Sequence, residues 1–153
     1  MAEEHTEEQN LDDLYREVIF EHYRRPRNRE ELPDAEIVAK GYNPLCGDRV
    51  TVYGKLAAAD AQRLERVCFS GQGCAICTAS ASLMTVALRG KTTAQAEQLA
   101  DDFKAMLRGE QELAAPEDTP DLEALSGVKK IPVRVKCATL AWNTIAQGLE
   151  GVP

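Results

Sequence analysis

Cations are in deficit here: 18 Lys and Arg face 25 Asp and Glu, giving a net charge of −7 and a pI near 4.9. A small acidic protein repels phosphate backbones, which argues against nucleic-acid binding. No apolar run reaches the roughly 18 residues that a membrane helix needs. The start, Met1-Ala2-Glu3-Glu4-His5-Thr6-Glu7-Glu8, is acidic and lacks an apolar stretch, so it reads as neither signal nor transit peptide. These absences predict a soluble protein of a reducing, cytoplasmic compartment. The sequence also shows no internal repeat and no composition break that would mark a second domain. What is present is 153 residues, 44% of them hydrophobic, enough for a single domain (1–153) with its own core.

Cysteine is not scarce, and its count of five argues against a fully paired disulfide framework. In a reducing compartment such cysteines serve as metal ligands or reactive thiols. Three of them sit in settings that point to chemistry. Cys46 lies in the loop sequence Asn43-Pro44-Leu45-Cys46-Gly47-Asp48, with Gly41 upstream and a carboxylate two residues on. Structural cysteines usually sit within apolar runs, as Cys68 does between Val67 and Phe69; Cys46 does not. Asp48 alone reads as a turn residue, but across the turn its carboxylate and the Cys46 thiol can converge on one point.

Cys74 follows Gly71-Gln72-Gly73 and opens a helix, where unsatisfied amides and the helix dipole favour thiolate. The spacing Cys74-Ala75-Ile76-Cys77 also allows a redox pair, yet no parallel strand–helix–strand pattern precedes it, and Cys77 reads mainly as a small core residue. Cys137, on the apolar face of the last helix, reads either as a core cysteine or, with Arg134 and Lys136 beside it, as a thiolate in an electropositive setting. The gaps of 27 and 62 residues between these cysteines exclude a zinc ribbon with short knuckles. A site built from them must converge in the tertiary fold.

Hydrophobic periodicity predicts an α+β fold, a small antiparallel sheet packed with about five helices. Leu11, Leu14, Tyr15, Val18, Ile19 and His22 mark an amphipathic helix over 11–25 that Pro26 stops, preceded by a disordered acidic tail at 1–10. His22 on this stripe reads as a packed histidine rather than a ligand. The run Arg24-Arg25-Pro26-Arg27-Asn28-Arg29 reads as a solvated helix end complementing the dipole or as a docking patch for an acidic partner. Residues 27–47 read mostly as loop. Alternation over 48–56 and 65–71 predicts a hairpin closed through Ala58-Ala59-Asp60. Residues 75–89 read as a buried helix stopped by Gly90. Thr92 or Thr93 caps a further helix ending at Gly109. An acidic excursion spans 110–121, a short helix lies near 121–126, and Pro132 opens the last helix.

Four stretches together resemble the IscU-like iron–sulfur cluster assembly scaffold family, and within it the SufU branch. They are His22-Tyr23-Arg24-Arg25-Pro26-Arg27-Asn28, the Cys46 loop, Gly73-Cys74-Ala75-Ile76-Cys77-Thr78-Ala79-Ser80-Ala81-Ser82, and Arg134-Val135-Lys136-Cys137-Ala138-Thr139-Leu140-Ala141-Trp142. They run in the family's order from about residue 11 to 148. Lys136, standing where the housekeeping scaffolds carry histidine, favours the SufU branch, as do the long stretch between Cys74 and Cys137 and the lack of a Leu-Pro-Pro-Val-Lys motif.

The resemblance implies a SufE/IscU-like fold and Zn²⁺ held by Cys46, Asp48, Cys74 and Cys137. It also implies sulfur accepted from a SufS-like cysteine desulfurase and passed to a downstream cluster assembly complex. Cys46 is expected to be the acceptor, because a glycine-flanked loop can swing outward where helix-borne thiols cannot. The competing functions are a scaffold that carries iron or a [2Fe–2S] cluster and a purely structural zinc module. Cys77 falls where the family more often has serine, which leaves room for an extra reactive thiol.

Overall fold

The computed structural model describes residues 7–113, 119 and 121–152, with residues 7–12 described by their backbone only. In chain order the elements are α1 (Glu7–Arg24), β1 (Ile37–Asn43), β2 (Asp48–Leu56), β3 (Leu64–Gln72), α2 (Ala75–Leu88), α3 (Thr93–Leu107), a 3₁₀ helix (Leu122–Lys130) and α4 (Pro132–Glu150). The strands form an antiparallel meander in the order β1-β2-β3. Among the described residues four α-helices and one 3₁₀ helix accompany the sheet, which is the expected α+β class.

Inward-facing Val50, Val52, Val67 and Phe69 meet the apolar sides of α2 and α4. α2 is buried along most of its length, and its small residues Ala79, Ser80, Ala81 and Ser82 let neighbours approach. Trp142 of α4 stacks on Phe103 of α3, with ring centroids 4.4 Å apart. Its indole N–H donates to Ser80 Oγ at 3.1 Å, and that hydroxyl in turn donates to the Ala138 carbonyl. The polar atoms of this core are therefore satisfied as it closes.

Two glycines fix how near α4 lies to the sheet. A Cβ at Gly41 would come within 2.0 Å of Thr144 Oγ1, and one at Gly148 within 2.8 Å of Ile37 Cγ2. This approach brings the start of α4, and Cys137 with it, toward the β1–β2 turn. It also explains the principal correction to the sequence reading. β1 falls inside the segment 27–47 expected to be mostly loop, because its inward positions Ala39 and Gly41 are small where α4 rests on the backbone. A strand with small inward residues shows no hydrophobic alternation.

α1 begins at Glu7, four residues before the expected start, so 7–10 belong to the helix and not to a tail. An all-polar first turn carries no apolar periodicity to announce it. Residues 1–6, and 114–118 and 120 of the acidic excursion expected at 110–121, lie outside the described residues; Leu113 and Thr119, which are described, are buried. The short helix expected near 121–126 is a 3₁₀ helix running on to Lys130. The expected Thr92 cap is a full capping box with Gln95, and Gly90 turns with φ +84° after α2.

His22 is packed, 6% exposed, with Nδ1 2.7 Å from Ser82 Oγ; Ser82 also accepts the Arg27 amide at 2.8 Å. Burial, assisted by Arg27, lowers its pKa below the ordinary histidine value of 6.5. The arginine run behaves as a helix end. Arg27 donates to the carbonyls of Glu21 and Arg25 at the end of α1, Arg29 donates to the Gly71 carbonyl, and Arg24 stacks over Phe20.

Candidate metal centre

The turn between β1 and β2 is built by one residue. Asn43 pairs across the strands with Asp48, and its carbonyl accepts the amides of Cys46 (3.3 Å) and Gly47 (2.8 Å). Its side-chain oxygen accepts the Leu45 amide at 3.2 Å, an Asx turn that leaves the amide nitrogen free to donate elsewhere. That nitrogen donates to Cys46 Sγ at 3.6 Å. Gly47 closes the turn at φ +73°, a conformation that glycine adopts without strain. Cys46 is thus exposed at the tip while its sulfur is held from behind by a buried amide.

Asp48 opens β2 and is buried, 3% exposed. Its Oδ1 accepts the Cys74 amide at 3.0 Å, and Oδ2 lies 3.9 Å from Cys74 Sγ. Cys74 is the N-cap of α2, where its sulfur accepts the Cys77 amide at 3.4 Å. Carboxylate and sulfur together occupy the helix N-terminus, where exposed amides and the dipole favour negative charge. Gly73 makes this possible, since a Cβ there would meet Cys77 Sγ at 2.8 Å and Asp48 Oδ1 at 3.3 Å.

From the other side, the second turn of α4 supplies Cys137. It is fully buried, with its Sγ 3.4 Å from Cys46 Sγ. Burial pushes its thiol well above the ordinary value of 9.0, and contacts with Cys46, Asp48 and Cys74 add to this. Arg134, one turn earlier and exposed, has its pKa raised by interaction with the Cys137 and Cys74 thiols. Of the two cations expected to make this setting electropositive, both exposed, Arg134 is the one that interacts electrostatically with the thiols.

Cys46, Asp48 and Cys137 each place a ligand atom within 4.8 Å of the other two. Cys74 adjoins this group through Asp48. A tetrahedral zinc site with bonds near 2.3 Å has donor–donor edges of roughly 3.5–3.8 Å. The observed separations of 3.4 Å (Cys46–Cys137) and 3.9 Å (Asp48–Cys74) bracket that range. Three thiols and one carboxylate are also the soft-dominated donor set that such an ion takes.

The remaining cysteines stand apart. Cys77 is buried, and its thiol is pushed up to about 12 by burial and by the negative charge of Asp48, Cys74 and Cys46. Burial thus disfavours the thiolate form that a redox partner or an extra nucleophile needs. Cys68 lies buried beside Arg66 and Glu30 in the sheet. Of the residues read from the sequence, the fold therefore brings together Cys46, Asp48 and Cys137 with Cys74 beside them. The role of Asn43 went unread, although an Asn that leads into a Pro-containing turn is the signal of an Asx turn.

The profile of the NifU-like N-terminal domain family matches residues 14–151. The chain is 45% identical over 140 residues to the zinc-dependent sulfurtransferase SufU of Bacillus subtilis (strain 168), covering 92% of each chain. It is 40% identical over 140 residues to the iron–sulfur cluster assembly scaffold protein IscU of Streptococcus pyogenes serotype M1, covering 92% of this chain and 85% of that one. A crystal structure from Fervidobacterium islandicum AW-1, described as an iron–sulfur cluster assembly scaffold protein for the SUF system, superposes with a TM-score of 0.79. It is 30% identical and covers 87% of this chain and 94% of that chain.

Proposed function

The chain belongs to the NifU-like N-terminal domain family, and on that premise we propose that it is a zinc-dependent sulfur acceptor and relay for iron–sulfur cluster assembly. Cys46, Asp48, Cys74 and Cys137 are the ion's donors, Cys46 is the sulfur acceptor, and a cysteine desulfurase supplies a persulfide. The carrying observation is the asymmetry of the donor set. Cys46 is exposed at a hairpin tip, whereas Cys137 is buried in α4 and Cys74 is fixed as the cap of α2.

Bound Zn²⁺ would keep the thiols deprotonated, offsetting the burial that otherwise holds Cys137 protonated. The chain's own residues do the rest. Cys46 thiolate attacks the terminal sulfur of the donor persulfide, forming a Cys46 S–S bond as the donor's S–S bond breaks. The donor cysteine leaves as thiolate, the proton stays on the transferred sulfur, and nothing is oxidised or reduced overall. The Asn43 amide stabilises negative charge on Cys46 Sγ before attack. Asp48 holds the Cys74 amide, so the helix end keeps its place while the tip moves.

Anaerobic purification tests this reading. The expected product is colourless, carries about one zinc per chain, and raises the turnover of a cysteine desulfurase. Brown protein that carries iron and leaves the desulfurase unaffected would instead support the cluster scaffold. Zinc-loaded protein that accepts no sulfur would leave only a structural zinc module.

A further inference from the structure

The outward face of the sheet carries charge unevenly. Side chains alternate across a strand, and the register stacks them in rows, with Lys55 beside Arg66, then Val38–Tyr53–Cys68, Lys40–Thr51–Ser70 and Tyr42–Arg49–Gln72. At the end far from the Cys46 turn the cations are neutralised within the molecule. Lys55 pairs with Glu36 (3.1 Å) and Asp34 (3.5 Å), and Arg66 pairs with Glu30. At the near end, Lys40 and Arg49 meet no carboxylate among the described residues. The three rows nearest the turn contain no acid at all, in a chain with a net charge of −7.

Toward β1 and the turn this face is open and organised. The helices cover the opposite face, leaving Val38 54% and Tyr42 55% exposed. Arg49 lies over the Tyr42 ring with Cζ 5.3 Å from its centroid, a cation–π contact that pairs the two side chains. Lys40, Tyr42, Arg49, Thr51 and Gly71 line a shallow concavity of about 440 Å³. Tyrosine and arginine are the residue types that concentrate binding energy at protein interfaces. The Tyr42–Arg49 row is also the rung directly below Asn43–Asp48, the mouth of the Cys46 turn. A partner seated here lies beside the acceptor sulfur.

We propose that this face, centred on Lys40, Tyr42 and Arg49, is the docking surface for an acidic patch on the persulfide-donating protein. The inference rests on the sulfur-acceptor reading and adds how the donor is recognised and oriented. Unpaired cations beside a reactive loop accelerate encounter with an acidic surface, and this contribution is screened by salt.

The test is sulfur transfer from a cysteine desulfurase to the zinc-loaded protein, measured against acceptor concentration at low and high salt. The Lys40→Glu/Arg49→Glu double variant should raise the half-saturating concentration about tenfold or more and lose its salt response. Its maximal rate and zinc content should match wild type. Arg89→Glu, the same kind of charge reversal at the opposite end of α2 from Cys74, should leave half-saturation unchanged. Tyr42→Ala should raise half-saturation without altering the salt response. An unchanged half-saturating concentration in the double variant, with wild type accepting sulfur normally, overturns the docking surface. Failure of wild type to accept sulfur overturns instead the reading on which the inference rests.

Discussion

The hairpin tip and the helix-borne half of the candidate metal centre are held by different forces. The turn that carries Cys46 is held by four hydrogen bonds made by Asn43, and the Cys46 sulfur meets the fixed half only at Cys137 Sγ, 3.4 Å away. Cys74 and Cys137 are positioned by packing, one as the cap of a buried helix and the other inside the core formed with Trp142. Hydrogen bonds in a turn can break singly at about 1 kcal/mol each, whereas moving Cys137 requires opening the core. The site therefore has a movable side and a fixed side, with Asp48 joining them through the Cys74 amide.

The largest expected effect separates the two sides outright. Cys46→Ser should lower sulfur acceptance at least about 100-fold, since serine is a poor nucleophile here and cannot carry a persulfide. The circular dichroism of the variant should remain that of the wild type. Cys77→Ser should leave acceptance intact, because that side chain is buried and burial disfavours its thiolate. Equal losses in both variants would erase the distinction between a reactive tip and an inert core.

Cutting the join should act next in size. Asp48→Ala removes a hard donor and strips the Cys74 amide of its acceptor. Metal exchange, followed with a chromophoric chelator, should quicken about 10- to 100-fold while helical content is kept. An unchanged exchange rate would remove Asp48 from the site.

Loosening only the tip should cost less. Asn43→Ser keeps an oxygen able to accept the Leu45 amide but is too short to reach the Cys46 sulfur. The maximal transfer rate should fall about two- to tenfold, the worth of one hydrogen bond to a charged atom, with half-saturation unchanged. Asn43→Ala loses the turn bond as well and should fall further. Identical rates in the two variants would mean that Asn43 only shapes the turn.

The smallest effect concerns how the fixed side is braced. His22 ties α1 to Ser82 of α2, and its pKa is lowered in the folded state. The unfolded chain therefore binds the proton more readily. The stability this provides is complete above the unfolded value near 6.5 and is lost as pH falls from there through the folded pKa. Urea unfolding at pH 7.5 and pH 5 should show a larger drop for wild type than for His22→Gln. Equal drops would show that His22 titrates alike in both states.

Much of this site was legible because its residues break local rules. A cysteine between glycines, or one opening a helix after Gly73, fits no structural role, so Cys46 and Cys74 stand out in the sequence. Cys137 lies on an apolar helix face like any core residue, so only its flanking Arg134 and Lys136 hinted at chemistry and the family resemblance was needed to settle the reading. The strand β1 was hidden because Ala39 and Gly41 turn small faces to α4. The outward basic face was hidden for a different reason. Lys40 and Arg49 are unremarkable in sequence and become a pair only when the register sets their strands side by side. The arginine run at 24–29 looked like the basic feature, yet Arg27 and Arg29 are engaged with backbone carbonyls.

The central claim, that Cys46 at the movable tip is the sulfur acceptor, is tested most directly by mapping the transferred atom. Zinc-loaded protein is incubated with a cysteine desulfurase and cysteine, trapped by alkylation and digested for mass spectrometry. The account predicts added mass in steps of about 32 Da on the peptide containing Cys46. Sulfur found on the peptides of Cys74, Cys77 or Cys137, with Cys46 unmodified, would contradict it.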